Sequence, residues 1–276
     1  MKYKIVVDSS SNLKNDYIKD DEVGFAVIPL SVRIGDKEYL DDDNAEVDQM
    51  LEDLSNNKNG GASSCPPPGS YAEAYKDANN IIVITISSKM SGSFNSAFVG
   101  SLEYENKAIH IVDSKATAGV IQLIADKAYE MIKSGMDFKD IEIEIDKYAE
   151  SLNLLFILDK FDNLVKAGRM SKIAAFVATS LSIKPLCVAH KGEIKILKKT
   201  RTMKMALKNV VNEMKQIVND DDVNRVCIIT CVQNDSNVEK LKNIIETNMN
   251  FKEIRIVGAK LLDSYYQLPG GLIISF

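Results

Sequence analysis

The sequence predicts an α/β fold with a largely parallel sheet, and three observations predict it. Apolar runs of strand length alternate with segments of helical period. The run at 81–86 is continuously apolar, as a strand buried on both faces must be, and 3–8 and 108–113 repeat the strand pattern. The length of 276 residues exceeds what a single small core needs and suits two compact domains, 1–150 and 151–276, with the boundary near residue 150.

The elements follow in order. Residues 3–8 (YKIVVD) read as a buried strand, Ser9–Ser11 and Asn12 as turn and N-cap residues, and 12–20 as a short helix. Residues 24–30 are a second strand, and 31–39 a hairpin, because Gly35-Asp36 separates two alternating runs. Asp41–Asp43 is an acidic turn before a helix at about 46–55. The stretch 56–69, rich in Asn, Gly, Ser and Pro, reads as a loop. The central strand 81–86 ends in a hydroxyl-rich turn before a helix from Phe94. Strand 108–113 precedes a long helix at 117–134, and 138–151 reads as a helix connecting the domains. Then come a strand at 153–158, helices at 160–167 and 171–181, and a hairpin at 183–198 turning at Lys191-Gly192. An amphipathic helix at 203–218, a strand at 225–232, a helix at 235–248 and strands at 253–258 and 271–276 complete the chain.

Composition excludes several function classes. With 34 Lys+Arg against 39 Asp+Glu the net charge is −5, so a broad nucleic-acid face is not expected. No stretch approaches the ~20 apolar residues that span a bilayer, which argues against stable membrane insertion. The N-terminal segment reads as a basic strand, without the apolar core and cleavage site of a secretory signal. Four cysteines, Cys65, Cys187, Cys227 and Cys231, are too few and too scattered for a disulfide scaffold, and point to reduced thiols in the cytoplasm. Cys227 and Cys231 sit in an apolar run, and the only histidines are His110 and His190, so no metal site is expected. Asp41–Asp43 reads as a solvated turn.

Three strand ends carry hydroxyls: Ser9–Ser11, Ser63-Ser64 and the turn Ser87–Ser93. In open α/β sheets, ligands bind beyond the carboxyl ends of strands. Helix N-termini there present free N–H groups, which with hydroxyls suit a carboxylate or phosphate oxygen. Helix capping alone explains Ser9–Ser11. The turn at 87–93 offers four hydroxyls where one cap needs one. No nucleophile elbow, dinucleotide fingerprint or P-loop is present, and no catalytic constellation emerges. Arg169 and Arg201 could each present a guanidinium to an anion; a helix C-terminal charge and a solvated basic face describe them equally well.

The ordered set of segments resembles the DegV family of bacterial fatty-acid-binding proteins. It runs from Asp8-Ser9-Ser10-Ser11-Asn12-Leu13 through Ser63-Ser64-Cys65-Pro66, Ser87–Ser93 and Val112-Asp113-Ser114 to Gly168-Arg169-Met170-Ser171, Ile183-Lys184-Pro185-Leu186, Arg201-Thr202 and Pro269-Gly270. The resemblance implies two α/β domains, the first with a mostly parallel sheet flanked by helices and the second with a mixed sheet. A long-chain fatty acid, such as palmitate or stearate, would lie between them. It implies that Ser63 and Ser91 hold the carboxylate, with Ser64, Gly92 and Ser93 lining the same corner. Some members present the bound acid to a partner fatty acid kinase that phosphorylates the carboxylate, and the arginines associated with that chemistry match Arg169 and Arg201. The resemblance implies a lipid carrier with no catalytic residue and no cofactor.

Two positions depart from the family pattern. The Thr-Ser-Gln-Pro loop is here Ser63-Ser64-Cys65-Pro66, which keeps the hydroxyls and loses the amide. Tyr266 stands where members commonly have histidine, and a phenol does not exchange a proton near neutral pH as imidazole does. Two other readings stand beside the carrier. One is an enzyme or enzyme subunit acting on a phosphorylated or acylated small molecule, with Ser91 and Arg169 binding phosphate. The other is a regulatory protein whose lipid is structural.

Overall fold

The computed structural model describes residues 1–170, 183–218 and 224–276. Strand β1 (Tyr3–Asp8) turns through a 3-10 element (Ser9–Ser11) towards β2 (Val23–Ile28), β3 (Ser31–Ile34) and β4 (Lys37–Leu40). Then follow α1 (Val47–Asn56), β5 (Gly61–Ser64), α2 (Pro68–Tyr75), β6 (Asn80–Thr85), α3 (Ser93–Ser101), β7 (Ala108–Asp113), α4 (Gly119–Lys133) and α5 (Phe138–Ser151). The remainder comprises β8 (Leu154–Ile157), α6 (Asp162–Lys166), β9 (Leu186–His190), β10 (Glu193–Lys198) and α7 (Met203–Ile217). It ends with β11 (Val226–Cys231), α8 (Ser236–Asn248), β12 (Glu253–Gly258), α9 (Leu261–Gln267) and β13 (Leu272–Ser275). The helix expected over 171–181 lies outside the described residues.

The expected α/β class is present in two large sheets and a small one. The first sheet, β2-β1-β6-β7, is parallel throughout. The second, β10-β9-β8-β13-β11-β12, is mixed: only β11 and β12 run parallel, and the other neighbours pair antiparallel. The third, β4-β3-β5, is antiparallel.

Helix α4 packs between the two large sheets. One apolar cluster runs from Ile5, Ile82 and Ile84 through Ile121 and Ile124 to Leu154, Phe156 and Ile273, and so crosses residue 150. Gly119 opens α4 where a Cβ would lie 2.8 Å from Ile228 and 2.9 Å from Ser275, so only glycine allows this close an approach to β11 and β13. A second cluster, including Val210, Leu241 and Ile229, packs α7 and α8 on the mixed sheet. Helix α5 buries Ile141, Ile145 and Ala149 against α4 and β7, so it covers the parallel sheet before the chain passes to β8.

The sequence expectation differs in three places. Residues 12–20 form no helix: Asn12 adopts φ +61°, and its side chain is held by distant groups, donating to Asp263 at 2.6 Å and accepting from Lys260 N–H at 2.7 Å. The loop at 56–69 contains β5, and α2 starts inside its proline run, where Pro68 occupies a first-turn position that needs no N–H donor. Helix α9 stands where no helix is expected.

Candidate functional site

The composition of β5 explains how the site closes. A Cβ at Gly61 would lie 2.4 Å from Ile34 and 3.0 Å from the Tyr265 ring, so the bare backbone lets α9 dock on this strand. Tyr265 completes the contact by donating its hydroxyl to Gly61 O at 2.7 Å. The next residue, Tyr266, then reaches Ser63, with 2.7 Å between the two hydroxyl oxygens.

The turn after β6 divides its hydroxyls. Ser87 donates to Gly192 O at 2.8 Å, tying the turn to the β9–β10 hairpin. Ser88 donates to Asp113 at 2.5 Å. Ser91 and Ser93 pair at 3.0 Å, with Ser93 fully buried at the start of α3 and Ser91 half-buried. The hydroxyls of Ser9–Ser11 are structural: Ser9 accepts from Leu30 N–H, Ser10 donates to Asp8, and Ser11 accepts from Leu13 N–H.

The two serine turns meet. A Cβ at Gly92 would lie 2.9 Å from Cys65 Sγ, so glycine permits the contact between them. Both border a cavity of about 360 Å³. That volume falls within the range of about 300–1,000 Å³ usual for ligand pockets. Its walls are mainly apolar and come from both large sheets and their connections: Ile86 and Met90 from one side, Leu154, Phe156, Leu158, Leu164, Ile194 and Ile273 from the other. Ser63, Ser64, Cys65, Ser91, Gly92, Arg169 and Tyr266 lie on its border, where Ser63 bonds Tyr266 and Arg169 bonds the backbone of Met90 next to Ser91.

Six of the sequence-predicted ligand residues therefore share this cavity: Ser63, Ser64, Ser91, Gly92, Arg169 and Tyr266. Ser93 stands behind Ser91 and does not border it. Arg169 is exposed and follows Gly168, which has φ +74°. Its Nε donates to Met90 O at 2.9 Å and its Nη1 to Ala167 O. Arg201 is exposed in the turn before α7 and does not border the cavity. His110 pairs with Asp146 at 3.0 Å, and His190 is exposed. Cys187, Cys227 and Cys231 are buried and free, and burial pushes the Cys187 thiol up to about 12.

The cavity has residues that sequence reasoning missed. Thr117, Asp263 and Gln267 border it beside the serines. Asp263 is 5% exposed, and burial, with Asp41 and Asp8 nearby, raises its carboxyl to about 7. Asp8 is fully buried, accepts from Ser10 and from Ile86 N–H at 2.8 Å, and is raised by burial to about 6. The signal is one carboxylate inside the otherwise uncharged, mostly apolar run Leu261–Gln267. Among the described residues no group of three or more His, Cys, Asp or Glu could hold a metal ion, and no helix is long and apolar enough to cross a membrane.

A family model described as "Uncharacterised protein, DegV family" matches residues 2–262. The chain belongs to the DegV family. A DegV domain-containing protein of Streptococcus pyogenes serotype M1 is 32% identical over 281 residues, covering 100% of this chain and 99% of its own. Among solved DegV-type structures, the Streptococcus pneumoniae fatty acid kinase (Fak) B3 protein loaded with linoleic acid superposes with a TM-score of 0.92 at 29% identity, covering 100% and 99% of the two chains. A DegV family protein from Ruminococcus gnavus with vaccenic acid gives the same TM-score of 0.92, identity of 29% and coverage of 100% and 99%. One from Eubacterium eligens loaded with heptadecanoic acid gives 0.89 at 27%, covering 99% and 98%. These DegV relatives span this chain from end to end, and the two-sheet architecture is theirs as well.

Proposed function

We propose that this chain is a non-catalytic carrier of a long-chain fatty acid. The carrying observation is the mainly apolar cavity of about 360 Å³, bordered by the hydroxyls of Ser63, Ser64, Ser91 and Tyr266 and by Arg169, in a chain that superposes along its length on fatty-acid-loaded DegV structures. The acyl chain lies among Leu154, Phe156, Leu158 and Ile273, and the carboxylate meets Ser63 and Ser91. Tyr266 orients the Ser63 hydroxyl. Arg169 spends two donors on backbone carbonyls, and its remaining N–H groups serve an anion at the cavity mouth. The two α/β units divide near residue 150, and the protein works in the cytoplasm, which the free thiols support.

Magnitudes assign the roles. Burying about a dozen methylenes at ~0.8 kcal/mol each far exceeds the roughly 1–3 kcal/mol that two hydroxyl hydrogen bonds add. The tail therefore sets affinity and the serines set orientation. Presentation of the carboxylate to a partner kinase fits the likeness to the Fak B3 protein, with Arg169 and Arg201 on the exposed side.

Native mass spectrometry of the protein purified from cells tests the reading. A co-purifying C14–C18 acid is expected. An empty protein that also fails to take up added palmitate would overturn it, as would phosphatase or kinase activity of the chain alone.

A further inference from the structure

The cavity wall contains a carboxyl that the carrier reading does not use. Asp263 lies one helical turn before Tyr266 on α9, so the two project from the same helix face. Its Oδ2 accepts from Asn12 Nδ2 at 2.6 Å, and the Thr117 hydroxyl stands beside it on the cavity border.

Two more buried carboxyls act on it, Asp8 from the end of β1 and Asp41 from the end of β4. Asp41 Oδ1 accepts from Leu261 N–H at 2.8 Å, while its second oxygen is buried without a hydrogen-bond partner. Among the described residues, the Lys260 ammonium acts on Asp41 and is engaged by Asp43 at 3.4 Å and Leu13 O at 3.2 Å. Charged residues of the other elements packed on α9 lie elsewhere: Asp48 and Glu52 on α1, Asp162 and Lys166 on α6 and Arg33 on β3 are exposed, and Asp53 pairs with Lys37. Arg169, also on the border, is exposed and bonded to Met90 O.

Three buried carboxyls cannot all ionise at low cost, and the Lys260 ammonium that favours the charged form of Asp41 is itself engaged by Asp43. A fatty acid brings a fourth carboxylate into the cavity that Asp263 borders. Asp8 and Asp41 do not border it. We propose that Asp263 is the residue that selects the ligand's charge state: it takes a proton from solvent when the cavity receives an anionic head group, so acid and proton bind together. The inference rests on the carrier reading. The proton ends on an Asp263 oxygen, and the ligand stays a carboxylate held by the serines. In the free protein the Asp263 carboxyl titrates at about 7, so uptake is visible above neutrality.

The experiment is calorimetric titration of delipidated protein with palmitate at pH 8 in buffers of different ionisation enthalpy. Uptake of about one proton per ligand is expected, and below pH 6, where Asp263 already holds its proton, uptake falls towards zero. Affinity weakens by close to tenfold per pH unit above 7. Asp263→Asn, whose amide oxygen still accepts from Asn12, abolishes uptake and flattens the pH profile. Carboxyl-labelled ¹³C palmitate bound to the unmodified protein keeps the resonance of a carboxylate, a readout that needs no variant. Binding without uptake at pH 8, uptake that persists in Asp263→Asn, or a label resonating as the protonated acid would each overturn the assignment while leaving the carrier intact. Failure to bind palmitate at all would instead remove the carrier reading itself.

Discussion

The Ser63 hydroxyl and the Tyr266 phenol lie 2.7 Å apart although 203 residues separate them in sequence. This bond joins β5 to α9, and with Gly92 against Cys65 it brings three distant segments to one cavity. The phenol can accept from Ser63 or donate to it, and when Tyr266 donates, the single Ser63 O–H is left to meet a carboxylate.

Tyr266→Phe removes that partner and keeps the ring, which stacks edge-on to Tyr265 at 4.7 Å. A hydrogen bond of this kind contributes about 0.5–1.5 kcal/mol, so palmitate affinity falls roughly two- to tenfold with little change in melting temperature. Fluorescent fatty-acid displacement measures it. Unchanged affinity would detach Tyr266 from the head group.

The balance between head and tail is testable within one titration series. Ser91→Ala loses one hydroxyl and weakens binding by up to about tenfold. Shortening the ligand from palmitate to myristate removes two methylenes, about 1.6 kcal/mol or roughly fifteenfold. The chain-length effect is expected to be the larger in unmodified protein and to persist in Ser91→Ala. The opposite order would make the serine turn, and not the apolar wall, the source of affinity.

Gly119 offers a test of the fold. Gly119→Ala places a methyl 2.8 Å from Ile228 Cβ and 2.9 Å from Ser275 Cβ, both on strands that cannot yield alone. Overpacking of this kind costs typically 1–3 kcal/mol, and a protein of this size loses about 2–4 °C for each. Thermal unfolding followed by circular dichroism is the check. A melting temperature within 1 °C of the parent would mean that α4 does not press against the mixed sheet.

Much of this was legible before the structure. Strand β6 carries a continuous apolar run that no amphipathic helix would show, and the strand expected at 108–113 matches to the residue. Ser63 and Ser91 stand in hydroxyl-rich strand ends, and the resemblance to the DegV family is what puts them, with Gly92, at one corner. Helix α9 was hidden because seven residues, Leu261–Gln267, are too few to reveal a period. Strand β5, Gly61–Ser64, has side chains too small to alternate visibly, although that smallness is what admits Tyr265. Asp263 escaped because its meaning depends on Asp8 and Asp41, which approach it only through the tertiary fold.

Those buried carboxyls also set how stability varies with pH. Asp8 rises by burial from an ordinary 3.8 to about 6, and Asp263 to about 7. In each case the folded state holds its proton more tightly than the unfolded chain. The stabilisation is fully present below pH 4 and is lost as pH climbs through 6 and 7. Between pH 4 and 7 these two groups therefore lower the melting temperature of the ligand-free protein as pH rises. Asp8→Asn removes part of that slope, although replacing one acceptor oxygen by an amide NH₂ disturbs the bonds from Ile86 N–H or Ser10 and lowers the melting temperature at every pH. Asp263→Asn removes a further part, and because its bond from Asn12 survives on the amide oxygen, its stability at pH 5 stays close to the parent's. The slope, and not the absolute value, is the readout. Scanning calorimetry at fixed ionic strength resolves it, and a parent protein whose stability rises over this interval while both variants track it would show that neither carboxyl is desolvated as described.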